Sequence, residues 1–200
     1  MEKLGSEYSN LTYLRNNENK GTSAVLNQAI EASTGEWIFV LDDDDVIFQR
    51  TLLNFAKTIN EHGEKHSWFT FDFIRGNENL QYLVGQDYYG WEFKNVDDWI
   101  CAIVKQEHFI QHNTLYKKSL WKSVGGYNLT LKEAFDLELY IKFVKSGYEA
   151  TYSPLYSHIH RFHKHNQTQK IQDFQHGYKA NYLQDILRLH PELNQFITKK

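Results

Sequence analysis

The stretch "GEWIFVLDDDDVI", residues 35–47, limits what this chain can fold into more than any other. Its apolar half reads as a strand covered on both faces, of the kind found inside a parallel sheet. It then runs directly into four consecutive aspartates. Two carboxylates about 5 Å apart repel by roughly 3 kcal/mol at an effective dielectric near 20. Crowded acids therefore share protons or gather a cation, unless they lie in a solvated turn. In open α/β sheets, ligands bind beyond the carboxyl ends of strands, and Asp42 to Asp45 occupy such an end. Carboxylates there can hold Mg2+ or Mn2+ and, through the ion, phosphate oxygens.

Two competing metal readings fail. An EF-hand loop from Asp42 requires Gly at its sixth position and Glu at its twelfth, where Ile47 and Leu53 stand. The strand followed by D-x-D-x-V also resembles the first motif of haloacid-dehalogenase-type phosphatases. No convincing downstream acidic motif accompanies it.

The elements around the aspartates alternate. "LTYLRNN" (11–17) reads as a short strand, and "GTSAVLNQAIEAST" as a helix capped by Thr22 or Ser23 and stopped by Gly35. "FQRTLLNFAKTINEHG" (48–63) is an amphipathic helix closed by Gly63, and "SWFTFDFIRG" (67–76) a further strand. This order indicates an α/β layered fold. Residues 113–128 suggest a strand, a short helix and a Gly-Gly turn. "FDLELYIKFVKSGY" (135–148) is a helix with Leu137, Ile141 and Val144 facing inward, and "EATYSPLYSHIH" (149–160) a strand. A helical tail over 170–197 breaks near Pro191. The aromatics of "DYYGWEF" suit either sugar stacking or core packing.

Composition excludes several classes. With 200 residues, 41% hydrophobic and 16% aromatic, the chain can bury a core and reads as a single domain. A net charge of −3 gives no basic field for nucleic acid. Cys101 is the only cysteine, which points to a reducing compartment and a small buried residue. No segment approaches the roughly 18 apolar residues of a membrane span, and the first residues lack a signal-peptide core. The expectation is a cytoplasmic protein, with peripheral membrane contact left open. The histidines of "HIHRFHKH" could form a zinc site, although several solvated histidines at a strand end are commoner.

Four motifs in order across residues 8–170 resemble inverting family 2 glycosyltransferases of the GT-A fold. "NKGTSAVLNQAIEASTGEWIFVLDDDDVI" resembles their N-x-G…R-N-x-A/G-I…G-E-Y-I…L-D-x-D-D block. "LYKKSLWKSVGGYN" resembles the segment leading to V-G-G-F/Y. "FDLELYIKFVKSGY" is similar to E-D-x-D-L-x-L-R-x-x-x-x-G-Y, and "HRFHKHNQT" to the terminal Y-R-x-H-x-x-S/N-x-T. The acidic and histidine-rich layout is similar to the spore-coat polysaccharide branch.

The resemblance implies a Rossmann-like, mixed, mostly parallel sheet flanked by helices. It also implies transfer of a sugar from a nucleotide-diphosphate donor, a UDP-sugar, to a saccharide or lipid-linked saccharide hydroxyl, with inversion. Asn27, Asp42, Asp43 and Asp44 would hold the donor. Asp44, Asp45 and His163 would hold Mn2+ or Mg2+. Asp136 would act as general base; in isolation, an aspartate in a helix's first turn is often only a partner for the helix dipole.

Three departures stand out. The family's opening strands, ending P-x-Y-N and D-D-x-S-x-D, have no counterpart, so the fold is expected to lack its first strands. Leu26 stands where an arginine usually precedes Asn27, and Phe135 replaces an acid. A strand at 11–17 without those neighbours would be an edge, to be covered by a partner chain or a second copy. A catalytically silent GT-A-like binding or scaffold module is therefore the alternative reading.

Overall fold

The computed structural model describes residues 8–85, 93–105, 113–164 and 182–197. Residues 1–7, the 86–92 part of the aromatic stretch, the 165–170 end of the last motif and the 170–181 part of the tail lie outside them. The strands are β1 (Trp37–Phe39), β2 (Val46–Ile47), β3 (Trp68–Gly76), β4 (Leu115–Lys117) and β5 (Thr151–Arg161). The helices are α1 (Thr22–Ala32), α2 (Thr51–His62), α3 (Val96–Val104), α4 (Lys118–Ser123), α5 (Phe135–Lys145), α6 (Tyr182–Leu189) and α7 (Asn194–Ile197). A 3-10 turn at Pro191–Leu193 joins the last two, which is the break expected at that proline.

The strands form one mixed sheet in the order β1-β4-β3-β5-β2. Only β3 and β5 pair in parallel; β1–β4, β4–β3 and β5–β2 are antiparallel. The described pairings are thus mixed but not mostly parallel, because β4 enters between β1 and β3 and runs against both. Along β3–β5 the register jumps from Phe71↔Ser153 to Asp72↔Tyr156. Pro154 lies inside that jump, and a residue without an N–H is accommodated where the ladder bulges.

Residues 11–17 form no strand. The segment is irregular and Leu11, Tyr13 and Leu14 are exposed, as expected of an extended piece with no described neighbour to complete its ladder. Helix α1 starts at Thr22 after Gly21, with neither Thr22 nor Ser23 as cap, and ends at Ala32 before Gly35 is reached. There the Ser33 hydroxyl donates to the Ile30 carbonyl at 2.8 Å.

Alternation along the strands sends neighbouring side chains to opposite faces. Ile38, Val40, Trp68 and Tyr116 face the larger core with residues of α1, α3, α4 and α5. Trp37, Phe39, Phe69, Phe71 and Leu115 face a smaller aromatic cluster with Phe55 and Ile59 of α2. Leu137, Ile141 and Val144 are buried as the helical period requires, joined by Leu139, Tyr140 and Phe143. Ile186, Leu193 and Phe196 bring the tail onto the same core. Among the described residues, no helix is long and apolar enough to cross a membrane.

Glu138 is buried on α5, with Lys142 Nζ at 3.1 Å and His190 Nε2 at 3.4 Å. Burial alone raises its carboxyl, but the hydrogen bond from His190 and the charge of Lys142 outweigh it and hold it below the ordinary value. A carboxyl depressed on folding contributes stability above its unfolded pKa, and that contribution disappears as pH falls through the folded one. The melting-temperature difference between the wild type and Glu138→Gln should therefore be largest near neutral pH and shrink below about pH 4.5. A thermal-melt series across pH checks this; a constant difference would show that the carboxylate charge is not what stabilises the helix.

Candidate active site

After β1 the chain turns over the aspartates, the Asp45 N–H donating to the Asp42 carbonyl at 3.2 Å, and enters β2. This two-residue strand was not anticipated, yet it decides the site. Its register on β5 pairs Val46 with Ile159 and Ile47 with His158. Continued backwards, that register places Asp45 across from His160 and Asp44 across from Arg161. The contacts follow it: the Arg161 N–H donates to Asp45 Oδ1 at 3.0 Å, and Arg161 Nε to the Asp44 carbonyl at 2.6 Å.

The four carboxylates are thereby separated. Asp43 is exposed, Asp42 and Asp44 are half-buried, and Asp45 is buried. Asp45 lies 3.4 Å from His160 Nδ1 and 3.6 Å from His158 Nε2. Burial acts to raise its carboxyl. The hydrogen bond and charge of His160, the Arg161 N–H and the charge of His158 act oppositely and leave it below the ordinary value. Mutual repulsion is thus not what dominates at this carboxylate. His158 and His160 are themselves buried, unlike the solvated strand-end histidines expected. The side chain of Phe73 stacks on His158 with ring centroids 5.0 Å apart.

Asp44 turns the other way. Its Oδ2 lies 2.9 Å from His163 Nε2, with both side chains about a quarter exposed (27% and 23%). Of the three expected metal ligands, Asp44 and His163 meet, whereas Asp45 points into the protein towards the other two histidines. The Asp44–His163 contact is of hydrogen-bond length and sets one oxygen and one nitrogen donor side by side at an accessible point.

Asp136 stands in the first turn of α5, its Oδ1 accepting from the Leu137 N–H at 2.8 Å. The helix springs from Ala134 in the left-handed region at φ 53°, a conformation costing an L-residue about 1–2 kcal/mol. Backbone strain of this kind gathers near functional sites. One turn further along, the Tyr140 phenol is fully buried and accepts from Thr114 Oγ1 at 3.0 Å. It is pushed well above its ordinary value by burial first, then by the Asp136 charge and, further down, by that of Asp42.

Asn27 has a different position. Its Nδ2 donates to the Tyr127 carbonyl at 2.9 Å and its Oδ1 accepts from the Tyr127 N–H at 2.8 Å. The approach requires Gly126: at φ 69°, an added Cβ would lie 2.8 Å from Asn27 Oδ1 and 2.9 Å from Trp121 Cζ2. Asn27 therefore clamps α1 to the Gly-Gly turn. Arg161, Thr114 and Tyr140 were not singled out in advance. For Arg161 the signal was present, in the arginine two residues before His163.

The layout, a mixed sheet flanked by helices with an acidic turn after β1, is that of a GT-A domain. The profile described as Glycosyl transferase family 2 matches residues 1–125, more than half of the chain, and the chain belongs to that family. Among solved structures, S. aureus TarS 1–349 aligns with a TM-score of 0.58 and 18% identity, covering 80% of this chain and 47% of TarS 1–349. A structure of the same TarS fragment was obtained with UDP. The mannosyltransferase PcManGT from Pyrobaculum calidifontis, in complex with GDP-Man and Mn2+, aligns with a TM-score of 0.55 and 16% identity, covering 96% of this chain and 55% of that one. At such identities the likeness concerns the fold. The chain spans about half the length of these structures. No curated protein sequence matches the chain.

Proposed function

We propose that this chain forms the catalytic part of an inverting glycosyltransferase that moves a sugar from a nucleotide-diphosphate donor, a UDP-sugar in the first instance, to a saccharide or lipid-linked saccharide hydroxyl. The observation that carries the reading is the Asp44–His163 pair in the acidic turn after β1, with Asp136 in the first turn of α5. Asp42 and Asp43 face the donor, and Asp44 with His163 hold the divalent ion at its diphosphate. Arg161, anchored through the Asp44 carbonyl, adds positive charge where the diphosphate leaves. When bound, the ion neutralises the departing diphosphate. Asp136 accepts the proton of the attacking hydroxyl, and alignment of the two substrates supplies much of the remaining acceleration. A place in cell-surface polysaccharide synthesis, of the spore-coat kind, follows the motif layout. So does a single cytoplasmic domain, with a peripheral membrane surface supplying a lipid-linked acceptor and a partner chain or second copy lying against the β1 side.

A silent binding module is the second reading, favoured by Leu26, which is packed against the larger core where the family carries a cation. Donor binding separates metal use from mere homology. Mn2+ should raise the melting temperature of the chain, and Asp44→Asn combined with His163→Gln should remove most of the nucleotide-dependent part of that rise. An identical response to Mn2+ with UDP in the double variant would place the donor ion elsewhere.

A further inference from the structure

Behind the Asp44–His163 pair lies a second set of donors that the proposed reaction does not use. Asp45, His158 and His160 are each less than a tenth exposed, and one donor atom from each lies within 4.8 Å of the others. They come from two elements, the turn after β1 and strand β5, held in register by β2.

The hydrogen bonds around the cluster define its chemistry. Ser157 Oγ donates its single proton to the Asp72 carbonyl at 3.1 Å. Its 2.8 Å contact with His158 Nδ1 must then be one in which Nδ1–H donates. A neutral His158 with its proton on Nδ1 turns the lone pair of Nε2 towards Asp45 Oδ2, 3.6 Å away. A lone pair and a carboxylate facing each other in a buried site repel, so the place between them takes a positive charge, either a second proton on His158 or a metal cation. His160 Nδ1 approaches the same Oδ2 at 3.4 Å, while Oδ1 is occupied by the Arg161 N–H. One carboxylate oxygen and two imidazole nitrogens therefore converge. Their spacings to the carboxylate exceed a good hydrogen bond but suit a tetrahedral ion, whose ligands at about 2.0–2.1 Å stand about 3.3 Å apart. The outer groups resemble those of metal sites, with Ser157 fixing one imidazole and a backbone N–H the carboxylate. Phe73 and Phe162 pack on the histidines and keep the surroundings apolar.

We propose that Asp45, His158 and His160 bind a second, buried divalent cation of the zinc class, which pins the acidic turn to β5 and so fixes the neighbouring Asp44 and His163. Two imidazoles and one carboxylate suit zinc better than magnesium or calcium, which prefer oxygen. Three protein donors leave a fourth position for water. This site is separate from the donor-sugar ion and does not depend on the chain being catalytic.

The test uses the full chain stripped of metal, with Zn2+ alone as probe, followed by desalting, elemental analysis and thermal melting. One zinc per chain should be retained. The melting temperature should rise by about 5–10 °C at free zinc one hundred times Kd. Co2+ in its place should give the visible bands of a four-coordinate ion. His158→Gln and Asp45→Asn should each abolish retention, whereas the double variant Asp44→Asn, His163→Gln should keep the zinc and the cobalt spectrum. If the buried variants do not fold, the wild-type cobalt spectrum and its persistence in the Asp44/His163 double variant still decide the matter. No zinc retention, retention unchanged in folded His158→Gln, or loss of zinc in the Asp44/His163 variant would each overturn the proposal. The first of these would leave a buried imidazolium–carboxylate cluster.

Discussion

Asp136→Asn is expected to lower sugar transfer by ~10²–10⁴-fold, the usual cost of losing general-base assistance, with little change in melting temperature. The substitution keeps size and shape but removes the group that takes the acceptor proton. Asp136 is half-buried rather than sealed, and the hydrogen bond it accepts from the adjacent Leu137 N–H is one that an Asn side-chain oxygen can also accept. Donor affinity should also survive, because the proposed diphosphate end is built from Asp44, Arg161 and His163 and not from Asp136. Activity is best measured on an enzyme in which this chain is joined to a family 2 donor-binding segment, with nucleotide binding and melting recorded on the same samples. Retained transfer in Asp136→Asn would remove Asp136 as the base and leave its helix-dipole role as the better account. Lost transfer accompanied by a large fall in melting temperature would instead show that Asp136 holds the fold itself, since the helix-dipole contribution of a first-turn carboxylate, about 0.3–1 kcal/mol, is too small to cause one.

The parts of the fold with a strong period were legible. The inward face of α5 follows from the spacing of Leu137, Ile141 and Val144, and β3 from the aromatic-rich run of Trp68, Phe69, Phe71 and Phe73. The acidic turn could be placed at a strand end because β1 runs directly into it. What escaped the sequence was pairing. Nothing local in "VI" at 46–47 marks a strand; it becomes one only because β5 lies beside it. That single pairing decides that Asp44 and Asp45 face different histidines, so a linear run of four acids could not reveal its division between two environments. The strand expected at 11–17 failed for the converse reason, since alternation is only half of a strand and the other half is a neighbour. Asn27 illustrates a further limit. Its position in a family motif suggested the donor, while its contacts show a clamp on Gly126–Tyr127, a tertiary relation spanning a hundred residues.

The largest effect on stability is expected at Trp68, which links the site's scaffold together. Its side chain is fully buried; it stacks on Tyr140 at 4.9 Å and meets Phe143 and Trp99 edge-on at 5.3 and 6.3 Å. Its Nε1–H donates to Thr114 Oγ1 at 3.2 Å, and that hydroxyl donates on to Tyr140. β3, β4, α3 and α5 therefore share one side chain. Trp68→Ala removes the packing and leaves a cavity, a change that typically costs 3–5 kcal/mol. For a chain of this length each kcal/mol corresponds to about 2–4 °C, so the melting temperature should fall by roughly 6–20 °C. Trp68→Phe keeps an aromatic surface against Tyr140 but cannot donate to Thr114, and should lose much less, on the order of the ~1 kcal/mol of one hydrogen bond plus a partial cavity. The ratio of the two losses is informative. If Phe is as damaging as Ala, the Trp68–Thr114–Tyr140 chain of hydrogen bonds, rather than aromatic packing, holds α5 to the sheet. Asp136 would then owe its place at the start of α5 to that polar chain, and below the melting transition Trp68→Phe should slow transfer without unfolding the protein.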